Sequence, residues 1–150
     1  MTFKLSQRSL DNLKGVDERL QEVVHYAIGV SKIDFGVICG LRTVEEQKAL
    51  VAKGASKTMN SKHLTGDAVD LMAYISGRGS WELNLYDEIA DAMREGGEKV
   101  GINLRWGAAW HKPLTGWNGT AEALMNEYID LRRSQGKRPF LDCPHFERLD

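Results

Sequence analysis

The segment 61–75, "SKHLTGDAVDLMAYI", constrains the fold of this chain more than any other stretch. Its last eight residues, 68–75, are mostly apolar and predict a strand. Asp70 stands inside that strand, between Val69 and Leu71. A carboxylate in an apolar strand is costly to bury unless it is paired or bound to a metal. The fold must therefore bring a partner to Asp70.

Histidines and a second carboxylate are available as partners. His63 lies in the loop before the strand, and Gly66 can bend the chain so that the imidazole reaches the strand carboxylate. Near the end of the chain, Asp142 and His145 are three residues apart. In a straight strand they would face opposite sides, so a common site needs a bend, which Pro144 can supply.

These residue types allow two interpretations. Zinc sites that catalyse hydrolysis take three protein ligands from His, Asp and Glu and leave the fourth position to water. His63, Asp70 and His145 would make such a set, and Asp142 would be the spare carboxylate that serves as a base. The alternative is a surface histidine in a polar loop and an aspartate paired without a metal. The residues by themselves leave both interpretations open.

The remaining patterns predict an α+β protein. Helices are predicted over 6–15, 17–30, 43–54, 81–100 and 120–137, and strands over 33–39, 68–75, 102–106 and 141–149. The elements do not alternate as regular βαβ units, which favours a small, mostly antiparallel sheet flanked by helices. A length of 150 residues fits one domain, 1–150.

Composition excludes several kinds of partner. The net charge of −1 gives no pull toward nucleic acid. No stretch approaches eighteen apolar residues, and the N-terminus lacks an apolar signal segment, so we expect no stable membrane insertion and no secretory signal. Two cysteines do not make a disulfide framework, which indicates a reducing cytoplasm. We expect Cys39, in "FGVICG", to be a small buried apolar residue.

"SKHLTGDAVDL" and "DCPHFE" together resemble the signature of zinc peptidases related to D-Ala-D-Ala carboxypeptidases. That signature is Ser-x-His-x-x-Gly-x-Ala-x-Asp, followed much later by a carboxylate three residues before a histidine. "GLRTVEEQKALVAKGASKT" and "YIDLRRSQGKRPF" resemble in particular the bacteriophage endolysins that are L-alanyl-D-glutamate peptidases. The resemblance covers nearly the whole chain and implies the zinc D-Ala-D-Ala carboxypeptidase-like fold.

The resemblance also implies a metal site. It implies one Zn²⁺ held by His63, Asp70 and His145, with Asp142 as the catalytic base. Glu147 is the competitor for the role of base, because it lies two residues from His145 and on the same face of an extended segment. If it has no such role, we expect Glu147 to be a surface carboxylate.

Three further positions match the resemblance, and one segment departs from it. Arg42 would stabilise the developing oxyanion, and Ser61 and Gln47 would bind substrate. Many relatives carry Trp-Gly-Gly-Asp-Trp where this chain has "WGAAW" at 106–110, so any role of an aspartate there is absent.

The implied activity is hydrolysis of the amide between L-alanine and D-glutamate in the peptidoglycan stem peptide, for lysis of a bacterial host. Two alternatives stay open: a D-Ala-D-Ala carboxypeptidase, and a non-catalytic zinc-binding module of the same fold. We expect a monomer that is made in the host cytoplasm and reaches the cell wall through a separate phage pore.

Overall fold

The computed structural model describes residues 2–149, which form helices packed around one antiparallel sheet. The α-helices are α1 (Gln7–Asn12), α2 (Glu18–Val30), α3 (Val44–Ala52), α4 (Leu83–Val100) and α5 (Ala121–Ser134). The strands are β1 (Asp34–Cys39), β2 (Ala68–Ile75), β3 (Arg78–Ser80), β4 (Leu104–Trp106) and β5 (His145–Arg148). The predicted α+β class with a small antiparallel sheet is confirmed.

Strand β2 lies inside the sheet and carries Asp70. The strand order is β1-β2-β5-β4, with β3 pairing β2 as well. In this register Asp70 lies opposite Cys39 on β1 and opposite His145 on β5. Directly opposite residues in antiparallel strands have Cβ atoms about 4.5–5.5 Å apart on the same face. The sheet register therefore joins residues that are far apart in the sequence.

Helices α1, α3 and α5 begin where the sequence supplies caps. Thr43 and Glu46 form a complete capping box at the start of α3. Ser6 and Thr120 cap α1 and α5 through their hydroxyls. These caps satisfy backbone N–H groups that have no partner inside a helix, so they determine where these three helices start.

The core lies between the sheet and helices α2 and α4. The apolar face of α2 is buried, including Leu20, Val23 and Ala27. Trp106 and Phe146, on the adjacent strands β4 and β5, are fully buried and stack with ring centroids 6.3 Å apart. The buried apolar side chains form one contiguous cluster that supports the sheet beneath the site.

Some predicted boundaries were wrong. Residues 78–80 form β3, which the sequence did not predict; Ser76 and Gly77, both with positive φ, make the turn before it. Lys62–Thr65 form a short 3₁₀ helix where a loop was expected, and α4 begins at Leu83 rather than at residue 81. Within residues 2–149, no helix is long and apolar enough to cross a bilayer.

Candidate active site

The two predicted histidines meet at the carboxylate of Asp70. His63 Nε2 lies 3.3 Å from Asp70 Oδ2, and His145 Nδ1 lies 3.3 Å from Asp70 Oδ1. The two imidazole rings are edge to face, with centroids 5.2 Å apart. The structure thus brings both predicted histidine ligands against the carboxylate of Asp70.

Local backbone structure holds His63 in place. Ser61 caps the 3₁₀ helix by accepting from the His63 backbone N–H at 3.2 Å. Gly66 ends that helix with a φ of +75°, and a Cβ there would lie 2.5 Å from the carbonyl oxygen of Gly15. Only glycine adopts this positive φ without strain and also lacks the Cβ that would collide with the Gly15 carbonyl.

The outer nitrogen of each imidazole is occupied by an acceptor. His63 Nδ1 lies 2.9 Å from the Gly40 carbonyl oxygen, and His145 Nε2 lies 2.9 Å from Glu147 Oε1. Carbonyl and carboxylate oxygens can only accept, so each outer nitrogen carries the hydrogen. When the imidazoles are neutral, the nitrogens that face Asp70, His63 Nε2 and His145 Nδ1, therefore carry lone pairs. This arrangement is typical of metal-binding histidines, so the residues present fit a divalent cation.

The pKa shifts of His63, His145 and Asp70 also indicate a site that suits a cation. Burial lowers the pKa of His63, but the hydrogen bonds and charges of Asp70 and Cys39 together outweigh burial and raise the pKa to about 10. The pKa of His145 rises to about 9 against burial through its bonds to Asp70 and Glu147. Burial raises the pKa of Asp70, but the two histidines hold it well below its usual range. The site therefore favours positive charge, which a metal would supply on displacing protons.

Asp142 lies at the same point because the chain turns before β5. The His145 N–H donates to the Asp142 carbonyl at 3.0 Å, and the Asp142 N–H donates to the Gly107 carbonyl at 2.7 Å. Ligand atoms of Asp70, Asp142 and His145 all lie within 4.8 Å of one another. Burial, and then the negative charge of Asp70, raise the pKa of Asp142. Asp142 is thus a carboxylate with enhanced affinity for a proton.

Gly107 permits this close packing. A Cβ at residue 107 would lie 2.1 Å from the Asp142 carbonyl oxygen and 3.0 Å from the His145 Cβ. The Gly107 N–H also donates to the His145 carbonyl at 2.8 Å. Backbone atoms of Gly107 thus hold both Asp142 and His145.

Arg42 faces the site, whereas Gln47 supports Arg42 from behind. Arg42 Nη2 lies 3.8 Å from Asp70 Oδ2, and Arg42 Nη1 donates to Gln47 Oε1 at 2.6 Å. Gln47 is fully buried, and its amide nitrogen donates to Ser56 Oγ at 2.9 Å and to the Thr58 carbonyl at 2.6 Å. In this structure Gln47 has no surface for the substrate contact we expected, because its amide is used inside the protein. Its role is to position Arg42 and the loop that follows α3.

Two expectations from the sequence were wrong. Cys39 is not a core residue: its Sγ accepts from Arg42 Nη2 at 3.3 Å and lies 3.7 Å from His63 Nδ1. Cys39, His63 and Asp70 also have ligand atoms within 4.8 Å of one another, so the thiol is a further possible donor. Glu147 is not a surface carboxylate, since it is 7% exposed and contacts His145. Its two-residue spacing from His145 in a strand was the signal for that contact.

These residues line a cleft of about 590 Å³. Besides the site residues, its walls include Ser61, Trp110, Phe140 and the loop 54–58. Trp110 stacks on His145 with ring centroids 5.5 Å apart. Ala108 and Ala109 are fully buried, so the departure at 106–110 leaves Trp110 as the residue of that segment that lines the cleft.

The antiparallel sheet joins two imidazoles and two carboxylates in an open cleft. Such a site could hold a metal ion beside a carboxylate base, which is the class of site that suits hydrolysis. The model of the phage L-alanyl-D-glutamate peptidase family matches residues 1–149. The chain belongs to this family.

Two named proteins are similar to the chain. An L-alanyl-D-glutamate peptidase of Escherichia phage T5 is 36% identical over 115 residues, which is 74% of this chain and 84% of that protein. The crystal structure of the Serratia marcescens L-Ala D-Glu endopeptidase ChiX matches with a TM-score of 0.70 and 32% identity. That match covers 97% of this chain and 90% of the other.

Proposed function

We propose that this protein is a zinc-dependent endolysin that hydrolyses the L-alanyl–D-glutamate bond of peptidoglycan stem peptides during lysis of a bacterial host. The observation that carries the proposal is the convergence of His63 and His145 on Asp70, with Asp142 beside them. Membership of the peptidase family, and the names of the two similar proteins, support the choice of bond.

Zinc fits the donor set of His63, Asp70 and His145. Two imidazoles and one carboxylate, with room for a fourth ligand, are a common catalytic zinc set. A nearby thiol, Cys39, also favours zinc over the hard cations that prefer oxygen. When bound, zinc supplies a Lewis acid that polarises a carbonyl group and activates water.

The side chains around the ligands would move the proton and stabilise charge. Asp142 accepts a proton from the attacking water and returns it to the leaving amine, for which its raised pKa is suited. The Arg42 guanidinium, fixed by Gln47 and Cys39, donates to the oxygen on which negative charge develops. Ser61 lines the cleft, and its O–H can donate to a substrate carbonyl.

The test is digestion of purified cell walls with identification of the new amino termini. We expect a free amino group on D-glutamate, with L-alanine left on muramic acid, and loss of activity on chelation that zinc restores. Release of free D-alanine would identify a carboxypeptidase instead. Zinc binding with no cleavage would identify a non-catalytic module.

We further propose that the protein acts as a monomer and reaches the wall from the host cytoplasm through a separate phage pore. Expression in a bacterial host should then cause lysis only when a pore-forming protein is co-expressed. Lysis without any pore would contradict this route. Light scattering during gel filtration would show whether the mass equals one chain.

A further inference from the structure

A row of three side chains leads from the metal site to the mouth of the cleft. Trp110 stacks on His145 at 5.5 Å, Phe140 stacks on Trp110 at 5.9 Å, and the Lys57 ammonium lies 5.4 Å from the centre of the Phe140 ring. Trp110, Phe140 and Lys57 all line the cleft. We call these three residues the aromatic–basic wall.

Phe140, the middle residue of the wall, is exposed but its backbone is anchored. Phe140 is 52% exposed, although a ring of this size would gain from burial. Its backbone N–H donates to the hydroxyl of Tyr128, a buried residue of α5, at 3.2 Å. An exposed aromatic face on an anchored backbone gives a ligand a preformed apolar surface at low entropic cost.

Lys57 supplies positive charge that the protein does not neutralise. Of the other cleft cations, Arg42 faces Asp70, and Lys62 donates to the Arg148 carbonyl at 2.6 Å and lies 3.9 Å from Glu147. Across residues 2–149, no carboxylate lies within 4.0 Å of the Lys57 ammonium, which contacts the Phe140 ring. A carboxylate of the substrate could therefore pair with Lys57 without displacing an internal partner.

The chemistry of the substrate places that carboxylate on one side of the bond. The carboxyl group of L-alanine is consumed in the scissile amide, and its amino group is acylated by muramic acid, so neither carries charge. Glutamate has two carboxyl groups and the chain continues through one, so the D-glutamate side keeps a free carboxylate. The residue after it can carry another if the peptide ends there.

We propose that the aromatic–basic wall is the subsite for the peptide on the D-glutamate side, with Lys57 pairing with a carboxylate of that segment. This inference rests on the function proposed above. The three distances that lead from His145 through Trp110 and Phe140 to Lys57 together span at most about five residues of extended peptide, at roughly 3.3 Å per residue. A segment of two or three residues beyond the bond can lie along the Trp110 and Phe140 rings toward Lys57.

The test uses synthetic muramoyl–L-Ala–D-Glu–L-Ala in four forms. The free D-glutamate carboxyl and the C-terminal carboxyl are each left ionised or converted to the amide, and kcat/KM is measured for each form. The variant is Lys57→Gln. The matched control is Lys53→Gln, which removes an exposed charge four residues away that does not line the cleft.

We expect one amidation to lower kcat/KM of the unchanged protein by about two- to fivefold, as for an exposed ion pair. The sensitive position identifies which carboxylate pairs with Lys57. Lys57→Gln should lower kcat/KM of the ionised form by the same factor and abolish the sensitivity, whereas Lys53→Gln should retain it. Phe140→Leu should raise KM for all four forms with kcat retained.

The outcomes separate the two proposals. Failure to cleave any form would refute the proposed bond specificity. Cleavage without preference, or a preference that survives in Lys57→Gln, would overturn the ionic half of the subsite while the peptidase assignment stands. An unchanged KM in Phe140→Leu would overturn the aromatic half.

Discussion

At the scale of single residues, Asp142 and the three proposed ligands should respond differently to substitution. Asp142→Asn keeps the shape of the side chain but removes the proton acceptor. General-base catalysis contributes roughly 10²–10⁴-fold, so cell-wall hydrolysis should fall by about that factor while zinc content stays near one per chain. His145→Ala, the control, should lose both hydrolysis and bound zinc. Near-normal lysis by Asp142→Asn would remove Asp142 from the role of base.

Glu147 should act through His145. Its carboxylate accepts from His145 Nε2 at 2.9 Å and is held below its usual pKa against burial by that contact. A surface position, which the sequence indicated if Glu147 is not the base, would make Glu147→Gln mild. The structure predicts instead a loss of zinc affinity of about 10–100-fold, since such contacts orient the ligand.

Excess zinc separates the two carboxylates. It should restore hydrolysis in Glu147→Gln, because that defect is one of affinity. It should not restore Asp142→Asn, whose defect is the missing base. An inactive Glu147→Gln variant that retains its zinc would make Glu147 the base.

At the scale of elements, the turn after β4 and the turn before β5 must pack without a side chain at residue 107. Gly107→Ala would force a Cβ against the Asp142 carbonyl, and the shift would move both Asp142 and His145. We expect hydrolysis to fall by more than about 10²-fold, as for other small misplacements of catalytic groups. Gly29→Ala, on α2 where a Cβ meets nothing within 4 Å, is the control and should be neutral or slightly stabilising. Equal activity of the two variants would show that the turn can relax.

The contact between α4 and α5 should make stability depend on pH. Burial, and then the charge of Glu122 on α5, raise the pKa of Asp87 on α4 to about 6. The folded state therefore holds a proton that the unfolded state releases near pH 3.8. Protonated Asp87 therefore contributes fully to the free energy of unfolding below about pH 4, and this contribution is lost as the pH rises through 6.

Asp87→Asn should raise the free energy of unfolding by on the order of 1 kcal/mol at pH 7.5 and little at pH 4. Urea titrations at both pH values would measure this; a gain at pH 4 only would contradict it.

At the scale of the whole molecule, the site joins β2, β5 and the 3₁₀ helix, so a bound metal should stabilise the fold. A ligand present at about 100 times its Kd adds roughly 2.7 kcal/mol. For a chain of this size that corresponds to a Tm rise of about 5–10 °C. Calorimetry of chelated and zinc-loaded protein would measure the rise, which His63→Ala should abolish. An equal rise in that variant would place the zinc elsewhere.

The sequence by itself determined the features that depend on neighbouring residues. Helix starts followed from caps such as Thr43 with Glu46, and β2 followed from its run of apolar residues. The candidate ligands His63, Asp70 and His145 could be named because a carboxylate inside an apolar strand needs a partner and because the motif has a fixed spacing. The caps and the strand pattern are local, whereas His145 is far from Asp70 in the sequence and could be named only through the two-part signature of the family.

Only the tertiary structure decided what stands around those ligands. A bulge in β1 between Val37 and Cys39 puts Cys39 opposite Asp70, and strand register alone decides such a pairing. The roles of Gln47 behind Arg42 and of Gly107 beneath Asp142 depend on burial and on backbone contacts between distant segments. No local pattern encodes those contacts, because each depends on how separate elements pack against one another.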